Sequence, residues 1–174
     1  MFTNQVRIVV CILMLLVSAL AGYFKVYEIT ALAILLAGYV IWGYYKEGPI
    51  ILAAKQYRLK NYQQAKELLQ SVKNPELLNK RRKPYYRFLL GNIAVNQLDY
   101  TTAEFELGQA ASLGLRANDL GVALMHLANI SLRNKDKTRG MVWIKQAEKL
   151  PLSAKYKSIL SNIEKELQQY TNSN

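Results

Sequence analysis

The sequence predicts an all-α protein: an N-terminal hairpin of two transmembrane helices, then an α-solenoid of about three helix-turn-helix repeats closed by a C-terminal capping helix. Three observations predict it. Two apolar runs near the start of the chain contain no charged residue. Further along, small, apolar and turn-forming residues recur at spacings of 38 and 37 residues. The last segment carries apolar residues at helical spacing.

Residues 8–24 (IVVCILMLLVSALAGYF) and 29–45 (ITALAILLAGYVIWGYY) are each 17 residues long. That is the short end of what spans a hydrocarbon core at ~1.5 Å of rise per residue, and flanking residues extend both. Tyr23, Phe24 and Tyr27 cluster at one end and Trp42, Tyr44 and Tyr45 at the other, as two aromatic belts would. The turn Lys25-Val26-Tyr27-Glu28 is short enough to make the helices antiparallel neighbours, and Ser18, Ala21, Ala31, Ala33 and Gly38 would let their backbones approach. Arg7, Lys46, Lys55, Arg58 and Lys60 flank one side and only Lys25 the other, so both termini are expected in the cytoplasm, as in a multi-pass protein of a bacterial inner membrane. Arg7 before an apolar stretch and the triplet Ala19-Leu20-Ala21 also fit a cleaved signal peptide. Two buried helices of a soluble protein fit less well, because neither run carries an amphipathic stripe. The expected organisation is a membrane anchor over residues 1–47, a repeat domain over 48–170 and a frayed tail over 171–174.

The chain carries a formal net charge of +11. The first 45 residues hold only Arg7, Lys25 and Glu28, which leaves 21 basic and 11 acidic side chains, a net +10, on the rest. A basic domain beside a bilayer is drawn first to anionic headgroups and second to nucleic acid. Cys11 is the only cysteine, so the chain can make neither an internal disulfide nor a cysteine-based metal site.

The recurrence defines the elements of the repeat domain. Leu90-Gly91 is followed by Asp99-Tyr100, Ala103 and Ala110. Thirty-eight residues earlier stand Leu52-Ala53, Asn61-Tyr62, Ala65 and Val72, and 37 later Leu127-Ala128, Asp136-Lys137, Gly140 and Ala147. Helices of a hairpin pack closely only where side chains are small, so Ala53, Gly91 and Ala128 are expected to face Ala65, Ala103 and Gly140. Leu52, Tyr57, Leu69, Leu90, Phe105, Leu107, Leu127, Leu132, Trp143 and Ile144 would fill the space between. Asn61, Asp99 and Asp136 are placed to cap the second helix of each hairpin. Pro75, Gly114 and Pro151 punctuate the hairpin ends, and Gly48-Pro49 is expected to separate the second membrane helix from the first repeat helix. After Pro151, the face of Tyr156, Leu160, Ile163 and Leu167 should cap the array.

These residues resemble the tetratricopeptide repeat. Residues 90–114 (LGNIAVNQLDYTTAEFELGQAASLG) follow its small-residue and aromatic pattern well. The first copy is a fair match, and the third departs from the pattern by Lys137 where an aromatic is usual. The resemblance covers residues 48–151, and its spacings exceed the common unit of about 34 residues, implying longer turns and leaving the superhelical twist open. The resemblance implies a concave groove lined by the first helix of each hairpin. By register that groove takes Ile50, Ala54 and Tyr57, then Tyr85, Phe88, Asn92, Val95 and Asn96, then Val122, Met125, Asn129 and Arg133. Asn92 and Asn129 would hold the backbone of an extended peptide while Tyr57, Phe88 and Met125 receive apolar side chains, with Tyr85 and Asn96 lining the same groove. One variant of the family grips the C-terminal carboxylate of chaperones there; Ala54, Val122 and His126 stand where that grip would want polar or cationic groups, so chaperone-tail binding is not expected.

Catalysis finds little support. His126 is the single histidine, and no glycine-rich phosphate loop, serine elbow or ligand set with metal spacing accompanies it. No cofactor and no small-molecule substrate are expected. Lys80, Arg81, Arg82 and Lys83, reinforced by Lys73 and Arg87, form a basic surface in the turn between the first two hairpins, and Arg133, Lys135, Lys137 and Arg139 a second group. They are not interleaved with aromatics as a strand-binding surface would be, which counts against nucleic acid. The expected function is a membrane-anchored adaptor or scaffold that binds a protein or peptide partner. The alternative is a structural subunit or assembly factor of a larger membrane complex, its basic turns on anionic lipid.

Overall fold

A computed structural model describes residues 4–24 and 27–169. Lys25 and Val26 of the expected turn, and the tail 171–174, lie outside the described residues. Among these residues the structure is all helical, with no strand. It comprises α1 (Asn4–Tyr23), α2 (Tyr27–Arg58), α3 (Tyr62–Gln70), a short 3₁₀ turn (Pro75–Leu77), α4 (Arg82–Asn96), α5 (Tyr100–Ser112), α6 (Ala117–Arg133), α7 (Lys137–Glu148) and α8 (Ala154–Gln169). The chain divides into two compact units, Met1–Pro49 and Ile50–Asn174.

The first unit corrects the membrane reading. Among the described residues no helix is long and apolar enough to cross a membrane, and this overturns both the transmembrane hairpin and the multi-pass inner-membrane location. Each charge-free run stops at 17 residues, the lower limit for a span, and the helices that contain them take in polar residues at their ends, so the flanks do not extend the apolar length. The sequence of α1 opens Asn-Gln-Val-Arg, and that of α2 continues through Lys46 and Glu47. Nor does Gly48-Pro49 end a helix. Pro49 lies inside α2, where its lack of an amide proton costs one backbone bond without stopping the helix.

In the second unit the recurrence seen in the sequence becomes a recurrence of backbone. The C-terminal turns of α2, the whole of α4 and the whole of α6 are each followed by a tight turn and a second helix, α3, α5 and α7. The three turns share one geometry. Lys60, Leu98 and Lys135 adopt positive φ (64°, 61° and 55°), and each precedes the residue that opens the second helix. The amides of Asn61, Asp99 and Asp136 bond back to the carbonyls of Gln56, Ala94 and Ser131 at 3.0, 3.0 and 2.9 Å. Those of Lys60, Leu98 and Lys135 bond to Tyr57, Val95 and Leu132 at 3.0, 3.1 and 3.0 Å. A left-handed residue with a bond from the following amide to the carbonyl five residues back is the Schellman termination of a helix. Here non-glycine residues carry it, against the usual steric preference. Asp99 and Asp136 then cap α5 and α7, accepting from the amides of Thr102 and Arg139 at 3.1 and 3.0 Å. Asn61 does not cap α3; its Nδ2 donates to Gln56 Oε1 instead.

Packing follows the same register. Leu69, Leu107 and Ile144 occupy equivalent positions on α3, α5 and α7 and are all buried, as are Ala65, Ala103 and Gly140 one turn earlier. Burying one such leucine stabilises the fold by roughly 1.5–3 kcal/mol. Gly91 is where α5 meets α4: a Cβ there would lie 2.6 Å from Leu107 Cγ and 3.1 Å from its backbone nitrogen. Thus Gly91 makes room for Leu107 rather than for Ala103. Gly140 likewise makes room for Leu167 of α8, whose Cδ1 would lie 2.6 Å from an added Cβ. Leu160, Ile163 and Leu167 of α8 join the core that Leu107, Leu124, Leu127 and Ile144 build, while Ile50, Ala53, Ala65, Leu69, Tyr86, Leu89 and Ile93 form a second cluster on the other side of α4. Leu52 and Phe105, expected inside, are exposed.

Candidate functional site

The first helices carry the residues expected to line a groove, and the structure separates them into two groups. Phe88 (8% exposed) and Asn92 (1% exposed) are core residues and present nothing to a ligand. Asn92 can be buried because its Nδ2 donates to the Phe88 carbonyl of its own helix at 2.7 Å. Tyr57, Tyr85, Met125 and Asn129 are half-buried and Asn96 is exposed. These five, not seven, remain to meet a partner.

Aromatic packing sets the shape of the remaining face. The Tyr57 ring packs against Tyr62 at 5.6 Å, and Tyr85 stacks on Phe88 at 6.1 Å. Each tyrosine is thus held by one aromatic neighbour, Tyr57 by a tilted contact and Tyr85 by a stacked one. Asn96 Nδ2 donates to the Asn92 carbonyl at 2.8 Å and to Tyr57 Oη at 3.5 Å, which ties the end of α4 to the end of α2. Burial raises the Tyr57 phenol above its ordinary range, partly offset by the bond from Asn96. Tyr85 is raised by burial and by Asp119, while Arg58, Arg82 and Arg116 act the other way. Tyr85 packs on both core clusters, so it marks the middle of the face. Arg58 donates from Nε to the Ala54 carbonyl at 3.3 Å, folding its side chain back along α2. Arg133 lies over the Tyr100 ring at 4.7 Å, within cation–π range.

The expected basic surface is less basic than its sequence. Lys83 pairs with Glu76, and Arg87 bridges Glu76 at 3.2 Å and both carboxylate oxygens of Glu106 at 3.1 and 3.0 Å. Lys83 and Arg87 thus hold the 3₁₀ turn and α5 against α4. Burial opposes the Arg87 charge, yet Glu106 and then Glu76 raise its pKa; the Lys83 bond leads in holding the Glu76 carboxyl below the usual carboxylate range. Lys80 and Arg81 are exposed in the turn.

Among the described residues no group of three or more His, Cys, Asp or Glu side chains could hold a metal ion. Burial pushes the His126 imidazole below its usual range, and no ionisable neighbour contributes to that shift. A shallow cleft of about 310 Å³ between α7 and α8 has an apolar floor of Ile144, Ala147, Leu152 and Leu160 and a rim of Glu148, Lys157 and Glu164. It belongs to the packing of the last helix. The pairing of Lys83 and Arg87 with Glu76 and Glu106 is the feature that reasoning by register missed, because those partners stand 7, 11 and 19 residues away.

Comparison with known proteins gives no further guide: no family model matches the chain, and neither the curated proteins nor the solved structures yield a match.

Proposed function

We propose that the second unit is a tetratricopeptide-like helical-repeat domain that binds a protein or peptide along the first helices of its hairpins, and that its role is recruitment or scaffolding rather than catalysis. The observation that carries this reading is the turn repeated three times: the same left-handed residue and the same back-bond at Lys60, Leu98 and Lys135, spaced 38 and 37 residues apart. Stacked hairpins present equivalent side chains in a row, and rows of half-buried tyrosine, methionine and amide side chains are the means by which such arrays hold extended chains or helices. The spacings remain longer than the ~34-residue unit of the family, and the identity of the partner is left to experiment.

The test is site-specific photo-cross-linking of the full chain in cells. A cross-linkable residue at Met125 or Asn96 should capture one recurrent protein neighbour, and the same residue at Gln109 or Lys145, on second helices, should not. Capture only at the second-helix positions would overturn the proposal.

A second reading rests on the first unit. Leu16, Leu20, Leu32 and Leu35 are between 57% and 71% exposed, and exposed apolar side chains in number point to an interaction surface. This favours a subunit of a larger assembly in which a protein neighbour covers those helices. Cross-links from Leu16 and Leu35 to a neighbour, without any from Met125, would select it.

A further inference from the structure

The last helix keeps the step of the repeat. Helix α8 opens at Ala154, 37 residues after α6 opens at Ala117, so it stands where a further first helix would. Its inner face agrees: Leu160 and Leu167 follow Ala123 and Ile130 by the same 37 residues, and all four are buried. Its other face does not. On α4 the positions that meet the second helix are Arg87 and Gly91, which reach Glu106 and Leu107 of α5. Thirty-seven residues on, these positions are Leu124 and Ala128, both buried; thirty-seven further, they are Ser161 and Lys165, both exposed. Among the described residues no second helix packs against α8, and the cleft of about 310 Å³ between α7 and α8 lies where one would.

We infer that this cleft seats an amphipathic α-helix of a protein partner, which runs back along α8 as α7 runs back along α6. Its apolar side would meet Ile144, Ala147, Leu152 and Leu160, and its lysines or arginines Glu148 of α7 and Glu164 of α8. Both acids are available in a unit that is basic overall. Among the described residues neither pairs with a cation, and Glu164 accepts only from Gln168 of its own helix, at 3.3 Å. Running antiparallel to α8, the incoming helix brings its C-terminal end to Lys157, a cation that the helix dipole favours there. An apolar floor inside a charged rim is the composition of an interface between chains rather than of a core. The seat lies between α7 and α8, so it stands or falls apart from the first-helix groove.

Three labelled, end-capped peptides about four helical turns long, measured by fluorescence anisotropy on the full-length chain, test this. One carries leucine and alanine on one face and lysine elsewhere, one has glutamate for lysine, and one is the lysine peptide with a central proline that breaks the helix. The lysine helix should bind about ten-fold more tightly than either of the others. Glu148→Lys/Glu164→Lys should reverse the order, making the glutamate helix the tighter by about ten-fold. Glu67→Lys/Glu166→Lys adds the same charge outside the cleft and should leave the lysine helix within about two-fold, because exposed charges beyond a Debye length are screened.

Equal weakening by both double variants would mean a diffuse response to net charge and would sink the inference. A lysine helix that still binds best to Glu148→Lys/Glu164→Lys would place its site elsewhere and overturn the seat. So would a proline peptide that binds as well as the helix, which would make the ligand an extended segment. No binding by any probe would also overturn it, and the cross-linking at Met125 and Asn96 would still judge the first-helix face separately.

Discussion

The two units differ in whether a set of leucines is gathered into a core. In the first, Leu13, Leu16, Leu20, Leu32 and Leu35 are exposed; in the second, Leu69, Leu107, Leu124, Leu127 and Leu167 are buried to within about one per cent. Apolar content alone does not separate the units, since the first is the richer in aliphatic residues. What separates them is the presence of small residues in step with large ones. Gly91 and Gly140 each receive a leucine at a distance that a Cβ would forbid, and added Cβ atoms at Gly22 and Gly38 would meet nothing within 4 Å. A glycine makes a core only where a neighbouring helix arrives to use it.

That contrast can be broken by substitution, with effects that should fall in a definite order. Leu107→Ala empties the centre of the larger core and should cost about 2–5 kcal/mol in urea unfolding. Next, Gly91→Ala forces a Cβ against Leu107 and should cost about 1–3 kcal/mol. Combined, the two changes should cost less than their sum, because the smaller side chain relieves the clash that the added methyl creates. Asp136→Ala removes the acceptor for the Arg139 amide at the start of α7 and should cost about 1 kcal/mol. Leu16→Gln in the first unit should leave thermal stability of the full chain within about 0.5 kcal/mol. A loss comparable to that of Leu107→Ala would show that Leu16 is a core residue and would erase the contrast.

Much of the second unit was legible in the sequence. The recurrence at 38 and 37 residues located three turns, the small residues beside them and the final helix with Leu160, Ile163 and Leu167 inward. Other features were not legible, for identifiable reasons. Lys60, Leu98 and Lys135 hold positive φ without being glycine, so the turn's geometry left no residue signature. Asn92 satisfies its donor on its own helix and sinks into the core, which polarity alone would never suggest. The partners of Arg87 stand 11 and 19 residues away, so a run of basic residues looked free when part of it was paired. Pro49 resembles a boundary in the sequence, yet a helix tolerates one missing amide where flanking turns continue. In the first unit the absence of charge suggests a membrane span, but among the described residues the helices that contain the two runs are not apolar over enough of their length.

Amide hydrogen exchange resolved to single residues tests the repeated turn most directly. The amides of Asn61, Asp99 and Asp136, bonded to carbonyls five residues back, should exchange slowly, and those of Tyr100 and Thr101, first-turn amides without an intrahelical acceptor, should exchange fast. Uniformly fast exchange through all three turns, or protection at one turn alone, would contradict it.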